Sequence, residues 1–341
     1  MNKNKITKQP ILFIFLTTIT FFLISDCSVR EPEKSNLHLV IDAGSSGTRF
    51  CLFQMNYSSN LPHCRVKSGE CQNVNSSNGL ASLHSSQIKQ AIDEGFAQIP
   101  NEKQLQINHV ALLGTGGFRA LPDTTRNSKI SEIANEIFKT GYPATVKVIT
   151  GEDEALLAWR SITAENKSDT HGIVEIGGAT LQVAAGRSNT ILSKVSYPLG
   201  MNTVKDKLKP TSACFLDPNI DRFENCKNDL KPLLESLKPA IETDKLTYYG
   251  LGNPIQAIFT QLKTDQLKLS QINTTGAQVC QSNSDQLTKL GILTKFQPLS
   301  CYLFAFQSVS YENLGISKLS QGNGSWPAGA TISGEYFPEC R

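Results

Sequence analysis

Two segments of the sequence combine a carboxylate with a turn of small residues that could bind phosphate. Asp42 follows the apolar run 37–41 and leads into Ala43–Thr48, and Glu175 leads in the same way into Ile176–Thr180. Glycine-rich turns after strands expose consecutive backbone N–H groups to oxyanions. The first turn also offers the hydroxyl groups of Ser45, Ser46 and Thr48. The pattern predicts two phosphate-binding turns; the alternative is two tight turns with solvated acids.

The two acids occupy matching positions, which indicates an internal repeat and two related domains. Each lies at the end of a predicted strand, so the two carboxylates could hold one hydrated divalent cation between them. Mg²⁺ keeps several water ligands and needs few carboxylates. The sequence therefore predicts a phosphate and metal site shared by Asp42 and Glu175.

Other charged residues could complete such a site. Arg119 ends Thr115-Gly116-Gly117-Phe118-Arg119, and Arg49 follows the first turn. Guanidinium groups match phosphate oxygens with their forked donors, although either arginine could be an ordinary surface residue. Glu154 ends the acidic run 151–154, where one acid could act as a general base on water; the alternative is acids that cap a helix. Trp159 is typical of a core residue.

Apolar runs alternate with amphipathic segments along the chain. The predicted strands are 37–41, 49–55, 109–113 and 145–149, and the predicted helices are 85–98, 124–139 and 151–162. Segment 56–78 is polar, contains two cysteines and is predicted to be an inserted loop. The alternation favours an α/β fold with mixed or parallel sheets.

The N-terminus is typical of a secretion signal. Three lysines precede Ile11–Ile24, an uncharged stretch too short to span a bilayer comfortably. We predict a signal peptide over residues 1–26 and a secreted, periplasmic or extracellular location. An uncleaved anchor and a lipid tether at Cys27 are the alternatives; Asp26 fits a lipid-attachment site poorly.

The remaining eight cysteines predict up to four disulfides in an exported chain. The expected local pairs are Cys64–Cys71 and Cys214–Cys226, with Cys280–Cys301 as a third. Zinc is the competing interpretation, but no C-x-x-C pair occurs. Glycosylation sequons, relevant only in a eukaryotic host, begin at Asn56, Asn75, Asn166, Asn273 and Asn323.

The composition excludes several classes of protein. The 341 residues are 39% hydrophobic and 18% charged, which is ordinary for a globular protein and excludes a disordered or fibrous chain. The net charge is +3, and three lysines of the predicted signal supply that excess. The nearly neutral remainder gives no support for nucleic-acid binding driven by phosphate charge.

Five motifs together resemble the conserved regions of the ecto-apyrases, the nucleoside triphosphate diphosphohydrolases. They occur in the family's order and span positions 42–330. The five segments are Asp42–Arg49, Thr115–Arg119, Ile149–Glu154 followed by Trp159, Glu175–Gln182, and Trp326–Ala330.

The resemblance implies the fold of the actin, sugar-kinase and heat-shock-chaperone superfamily. Two related ribonuclease-H-like domains, 36–150 plus 325–341 and 151–324, would enclose an active-site cleft. The implied activity is removal of the terminal phosphate from nucleoside tri- or diphosphates, with Mg²⁺ or Ca²⁺ as cofactor. Segment 248–254 would lie near the nucleotide, but no base-stacking residue is assigned.

The resemblance also implies roles for individual residues. Glu154 would be the general base, Thr180 and Gln182 would position the attacking water, and Arg119 would neutralise phosphate charge. Asp42 and Glu175 would hold the cation through water. The phosphate cradle would consist of Ser45, Ser46, Gly47, Thr48, Arg49, Thr115, Gly177, Gly178 and Ala179.

The sequence departs from the family pattern at three places, so alternatives stay open. Glu175 and Thr180 stand where the family usually has aspartate and serine, and Gly116-Gly117-Phe118 stands where it has alanine-glycine-methionine. A catalytically weak relative that only binds nucleotide or phosphate is one alternative. A polyphosphatase of the same superfamily is another. A kinase fits less well, because ATP is scarce outside cells and Glu154 favours water as the acceptor.

Overall fold

Two mixed β-sheets form the framework of the described chain. The computed structural model describes residues 36–45, 47–57, 64–74, 79–165, 170–188, 190–239 and 246–341. The first sheet contains β1 (Leu37–Ala43), β2 (Thr48–Tyr57), β3 (Cys64–Asn73), β4 (Ile107–Gly114) and β5 (Ala144–Val148). The second contains β6 (Thr170–Ile176), β7 (Leu181–Arg187), β8 (Thr190–Tyr197), β9 (Thr247–Leu251), β10 (Gln266–Lys268) and β11 (Lys318–Gln321).

Helices connect these strands. In chain order they are α1 (Ser85–Ala97), α2 (Asn101–Gln104), α3 (Gly116–Arg119), α4 (Asp123–Lys139), α5 (Gly151–Glu165), α6 (Met201–Lys205), α7 (Arg222–Leu234), α8 (Asn253–Leu262), α9 (Leu269–Gln281), α10 (Ser284–Lys289), α11 (Gln297–Asn313) and α12 (Trp326–Thr331). Short 3₁₀ turns within the described ranges lie at Leu80–Ser82, Thr294–Phe296 and Pro338–Cys340. The predicted helices correspond to α1, α4 and α5. In α1 the buried residues Ile88, Ala91, Ile92 and Phe96 recur with helical spacing, which explains why the sequence revealed it.

The two sheets repeat one topology. The first has the order β3-β2-β1-β4-β5 and the second β10-β11-β9-β6-β7-β8. In each, an antiparallel run of three strands is extended by parallel strands: β4 and β5 in the first sheet, β9 and β11 in the second. The internal repeat read from the two acidic turns is thus present in the fold. The predicted α/β class is confirmed, whereas the predicted domain boundaries stay a prediction.

Helices α5 and α12 pack together within a core that draws on both sheets. This core includes Val40 of β1 and Ile173 of β6, together with the buried Trp159 of α5. A Cβ on Gly329 of α12 would lie 1.8 Å from the carbonyl oxygen of Leu157, so only glycine permits this close approach. Both sheets therefore pack against the same pair of helices, α5 and α12.

The segment predicted as an inserted loop contains strand β3, so that prediction is wrong for residues 64–73. Most of β3 is exposed, and it lies at the edge of the sheet paired with β2. An edge strand with polar residues on both faces has no apolar alternation, so periodicity cannot reveal it.

The predicted pair Cys64–Cys71 is also wrong. The two residues lie seven positions apart on one strand, a separation of roughly 23 Å at the usual rise per residue. Cys71 instead bonds Cys51, directly opposite it on β2, and Cys64 bonds Cys340. The pairs Cys214–Cys226 and Cys280–Cys301 are confirmed.

Several predictions concern residues outside the described ranges. They are the signal peptide, the lipid tether at Cys27, and the sequons at Asn75 and Asn166. Within the described ranges, the structure contains no helix both long and apolar enough to cross a bilayer.

The fold predicts a difference between two disulfides. Cys64–Cys340 closes a separation of 276 residues, whereas Cys214–Cys226 closes one of 12. By loop-closure entropy, replacing the first pair with serine should lower the free energy of unfolding by about 5–6 kcal/mol, and replacing the second by about 3 kcal/mol. Chemical denaturation of both double variants measures this. Equal losses, or no loss for the first pair, would contradict the expectation.

Candidate active site

A cleft of about 620 Å³ lies where the parallel strands of both sheets end. The turn after β1 lines one side, and the turns after β6, β9 and β11 line the other. Open α/β sheets bind ligands at the carboxyl ends of their strands, so the position is the expected one. The lining residues predicted from the sequence are Asp42, Ser45, Gly47, Arg49, Thr115, Glu154, Glu175, Gly177, Gly178, Ala179, Thr180 and Gln182.

Equivalent hairpins place two of the carboxylates. Asp42 on β1 lies opposite Arg49 on β2, and Glu175 on β6 lies opposite Gln182 on β7. Each hairpin closes through a four-residue turn, 44–47 in the first and 177–180 in the second. The two acids therefore occupy equivalent positions in their hairpins. The residue paired with each acid differs: it is Arg49 in the first hairpin and Gln182 in the second.

The two acids consequently have different electrostatic surroundings. Arg49 donates from Nε to Asp42 Oδ2 at 2.8 Å, and its Nη2 also contacts that oxygen. Burial raises the pKa of Asp42, and Arg49 opposes the rise. Glu175 Oε2 is buried and has no hydrogen-bond partner among the residues that the structure describes. Burial and the charge of Glu154 raise the pKa of Glu175 to about 8.

Glu154 is held by Arg119, the last residue of α3. It is 8% exposed and lies in the first turn of α5, where both guanidinium Nη atoms of Arg119 donate to its Oε2 at 3.1 Å. Arg119 Nη1 also donates to the carbonyl oxygen of Ile149 at 3.1 Å, which fixes the guanidinium. Burial raises the pKa of Glu154 to about 7, with Arg119 opposing the rise.

A hydrogen-bonded pair faces this carboxylate within the cleft. Gln182 Nε2 donates to Thr180 Oγ1 at 2.7 Å, and Gln182 is 1% exposed. The side chains of Glu154, Thr180 and Gln182 all line the cleft. A carboxylate, a hydroxyl and a carboxamide around one space can together accept and orient a water molecule.

Three predicted cradle or charge residues require comment. Thr48 does not line the cleft: it is 1% exposed, and its hydroxyl accepts from the Leu80 N–H at 3.3 Å. Arg119 lines an adjoining cavity and reaches the cleft through Glu154. Ser46 lies outside the described residues.

A group of polar residues in the outer cleft is not predicted from the sequence. These are Asn73, Asn202, Gln256, Asn323 and Ser325. Gln256 donates to the carbonyl oxygens of Gly250 and Gly322, at 3.0 and 3.1 Å, and so fixes the turn after β11. A glycine-rich turn after the short strand 318–321 was the available signal. Gly252, Asn253 and Pro254 of the predicted segment 248–254 do line the cleft, whereas Tyr248 is buried.

The donor set fits a hydrated divalent cation. Carboxylate oxygens are the preferred ligands of Mg²⁺ and Ca²⁺, and Glu175 Oε2 is a buried oxygen that lacks a partner. Within the described ranges, no three His, Cys, Asp or Glu side chains are close enough to ligate one ion directly. Contact through water, as expected from the sequence, stays a prediction.

The sequence that forms this cleft matches a known protein family. Residues 28–197 match the model of the GDA1/CD39 (nucleoside phosphatase) family. The chain belongs to the GDA1/CD39 family. The matched range includes both acidic turns, Arg119 and Glu154.

One curated relative and two solved structures illustrate the likeness of this GDA1/CD39 member. Probable apyrase 5 of Arabidopsis thaliana is 27% identical over 68% of this chain and 48% of its own length. The chain thus spans about half the length of the curated relatives it matches. The Aquifex aeolicus Ppx/GppA family member has a TM-score of 0.64 at 15% identity, over 87% of this chain and 96% of its own. The structure of nucleoside triphosphate hydrolases from Neospora caninum has a TM-score of 0.61 at 13% identity, over 87% of this chain and 92% of its own. These structures share the actin-like fold.

The different partners of Asp42 and Glu175 predict opposite effects on stability. The pKa of Glu175 in the folded protein, about 8, lies above its ordinary value of 4.5, so stability falls as pH rises through that interval. In metal-free buffer at pH 8, Glu175→Gln should raise the free energy of unfolding by about 1–3 kcal/mol. Asp42→Asn should lower it by about 1–2 kcal/mol, because the 39% exposed Arg49 recovers part of its solvation.

Denaturant titrations in EDTA measure both effects. The control is Glu235→Gln, because Glu235 is an exposed residue at the C-terminal end of α7. A loss of stability in Glu175→Gln would show that Glu175 has a partner in the metal-free protein.

Proposed function

We propose that this protein hydrolyses the terminal phosphoanhydride bond of nucleoside tri- or diphosphates. The observation that carries the proposal is the position of Glu154. This buried carboxylate is fixed by Arg119 and faces Thr180 and Gln182 in a cleft lined by glycine turns. A base whose pKa lies near 7 suits proton transfer from water at neutral pH.

The proposed reaction is an in-line displacement at the terminal phosphorus. Glu154 accepts a proton from water that Thr180 and Gln182 orient, and the water oxygen forms a bond to phosphorus. The bond from phosphorus to the bridging oxygen breaks, and the shortened nucleotide leaves with those electrons. Catalysis then depends on positioning and on charge stabilisation, as is general for phosphoryl transfer.

The two glycine turns would bind the phosphate chain. Gly44, Ser45 and Gly47 line the cleft from the first sheet, and Gly178 and Ala179 line it from the second. Turns of this kind offer backbone N–H groups to phosphate oxygens. Arg49 lies between the turns and is 39% exposed, so it can reach a phosphate oxygen while it pairs with Asp42. Opposed donors on two sheets suit a chain of phosphates better than a single anion.

A divalent cation, Mg²⁺ or Ca²⁺, would be held through water by Asp42 and Glu175. When bound, it neutralises the charge of the phosphate chain. Glu175 is the residue that most needs it, because its buried oxygen has no partner in the described structure.

We also propose that the protein acts outside the cytoplasm. Four disulfides support this location, because such bonds persist in oxidising compartments. The predicted signal over residues 1–26 supports it too. A lipid tether at Cys27 is a further possibility that mass spectrometry of the secreted protein would test.

Polyphosphate is a second candidate substrate, favoured by the lining of the outer cleft. That lining is mostly glycine and carboxamide, and its aromatic residue among the described residues, Trp326, is 2% exposed. The solved structures with this fold include an exopolyphosphatase from Cytophaga hutchinsonii, with a TM-score of 0.59 at 19% identity. Phosphate release from polyphosphates of increasing length, measured beside ATP, separates the two substrates.

Replacing the proposed base should stop turnover and leave binding intact. Glu154→Gln keeps the shape of the side chain but cannot accept the proton, so phosphate release from ATP, ADP and GDP should fall about 10²–10⁴-fold. Asp153→Asn is the matched control. Asp153 directly precedes Glu154 but does not line the cleft, and its Oδ1 accepts a hydrogen bond from Lys194 Nζ at 3.1 Å. Turnover in Glu154→Gln at the wild-type rate would reject the role.

Removal of divalent cations should abolish activity. In EDTA, wild-type phosphate release should fall to background and should return when Mg²⁺ or Ca²⁺ is added in excess. Undiminished hydrolysis in EDTA would exclude the proposed role of Asp42 and Glu175 as cation-holding residues.

A further inference from the structure

A second cavity adjoins the cleft behind the proposed base. Its volume is about 470 Å³, and Thr180 lines both spaces. Arg119 lines the second cavity and donates to Glu154, which lines the cleft. The two spaces are thus separated by the groups that would surround the terminal phosphate.

The lining of the second cavity is suited to a small oxyanion. Arg119 and Arg126 contribute guanidinium groups, and Thr180 and Ser196 contribute hydroxyl groups. The side chain of Arg126 is 27% exposed and pairs with Asp123 at 2.7 Å, an exposed carboxylate on the same helix. Glu152, also exposed, is the carboxylate within the lining itself. Forked guanidinium donors and hydroxyl groups are the usual partners of phosphate oxygens.

The wall of this cavity is tightly packed on one side. A Cβ on Gly151 would lie 2.2 Å from Ser196 Oγ, and it would lie 3.7 Å from Arg119 Nη2. The start of α5 therefore lies too close to Ser196 of β8 for a Cβ, whereas its distance to Arg119 is an ordinary van der Waals contact. The glycine keeps the space beside Arg119 open where any larger residue would fill it.

We propose that this cavity is a subsite for the inorganic phosphate that hydrolysis releases. The inference rests on the proposed function, because it takes the terminal phosphate to react beside Glu154 and Thr180. A phosphate formed there has the remaining nucleotide on the cleft side and Arg119 on the other. Arg126 offers a second positive charge farther along, so the product can leave the reacting position while the nucleotide is still bound.

Arg126 tests the proposal, because it lines the second cavity and has no place in the cleft. The probe is inorganic phosphate, titrated calorimetrically into the purified protein. Arg126→Gln should weaken phosphate binding about tenfold and reduce product inhibition by phosphate to the same extent. It should leave kcat/KM for nucleotide unchanged. A general loss of structure would instead lower both phosphate affinity and kcat/KM. Arg126→Lys keeps the charge and should retain most of the affinity.

Lys139→Gln is the matched control. Lys139 is on the same helix and forms the same kind of pair three residues apart, with Glu136, but it lines neither the cleft nor the second cavity. Equal phosphate affinity in wild type, Arg126→Gln and Lys139→Gln, with nucleotide hydrolysis intact, would overturn the subsite and leave the proposed function standing. Absence of hydrolysis in a folded wild-type protein would overturn the proposed function itself, and the product role with it.

Discussion

The burial of three carboxylates in one cleft is the constraint on which the rest of the site depends. Buried charges are unfavourable unless they are paired. Asp42 is paired with Arg49 and Glu154 with Arg119, whereas Glu175 Oε2 has no partner within the described part of the chain. The metal-free site therefore lacks one positive charge. Two hairpins of one design produce this imbalance, because Gln182 stands in the second where Arg49 stands in the first.

Such a cleft needs both sheets and a firm connection between them. Each sheet contributes one acidic turn, and the proposed general base, Glu154, is on α5, which packs with α12 in a core containing residues of both sheets. Because α5 also carries Trp159 into that core, movement of Glu154 relative to either turn would disturb buried packing. The arrangement suits catalysis by positioning, in which small displacements reduce rate strongly.

Features that depend on residues close together along the chain could be predicted from the sequence, whereas features that depend on the pairing of strands could not. The acidic turns and α1, α4 and α5 were readable because glycine, hydroxyl and apolar spacing act over a few residues. Strand β3 was not, since its pairing with β2 replaces any apolar pattern of its own. The same pairing brings Cys71 opposite Cys51, so this disulfide follows strand register rather than distance along the chain. Thr48 resembled a cradle residue, but its position within β2 turns its hydroxyl to Leu80.

Arg119 connects the proposed chemistry with the proposed release of phosphate. Proton transfer from the attacking water neutralises Glu154, and a neutral acid holds a guanidinium less strongly than a carboxylate does. The same step creates a phosphate dianion beside Arg119, on the side where the second cavity lies. The arginine that holds the base before reaction is thus the group best placed to hold the product after it. A change at Arg119 would impair both steps together, whereas Arg126 touches the second alone, so Arg126 is the residue that can separate them.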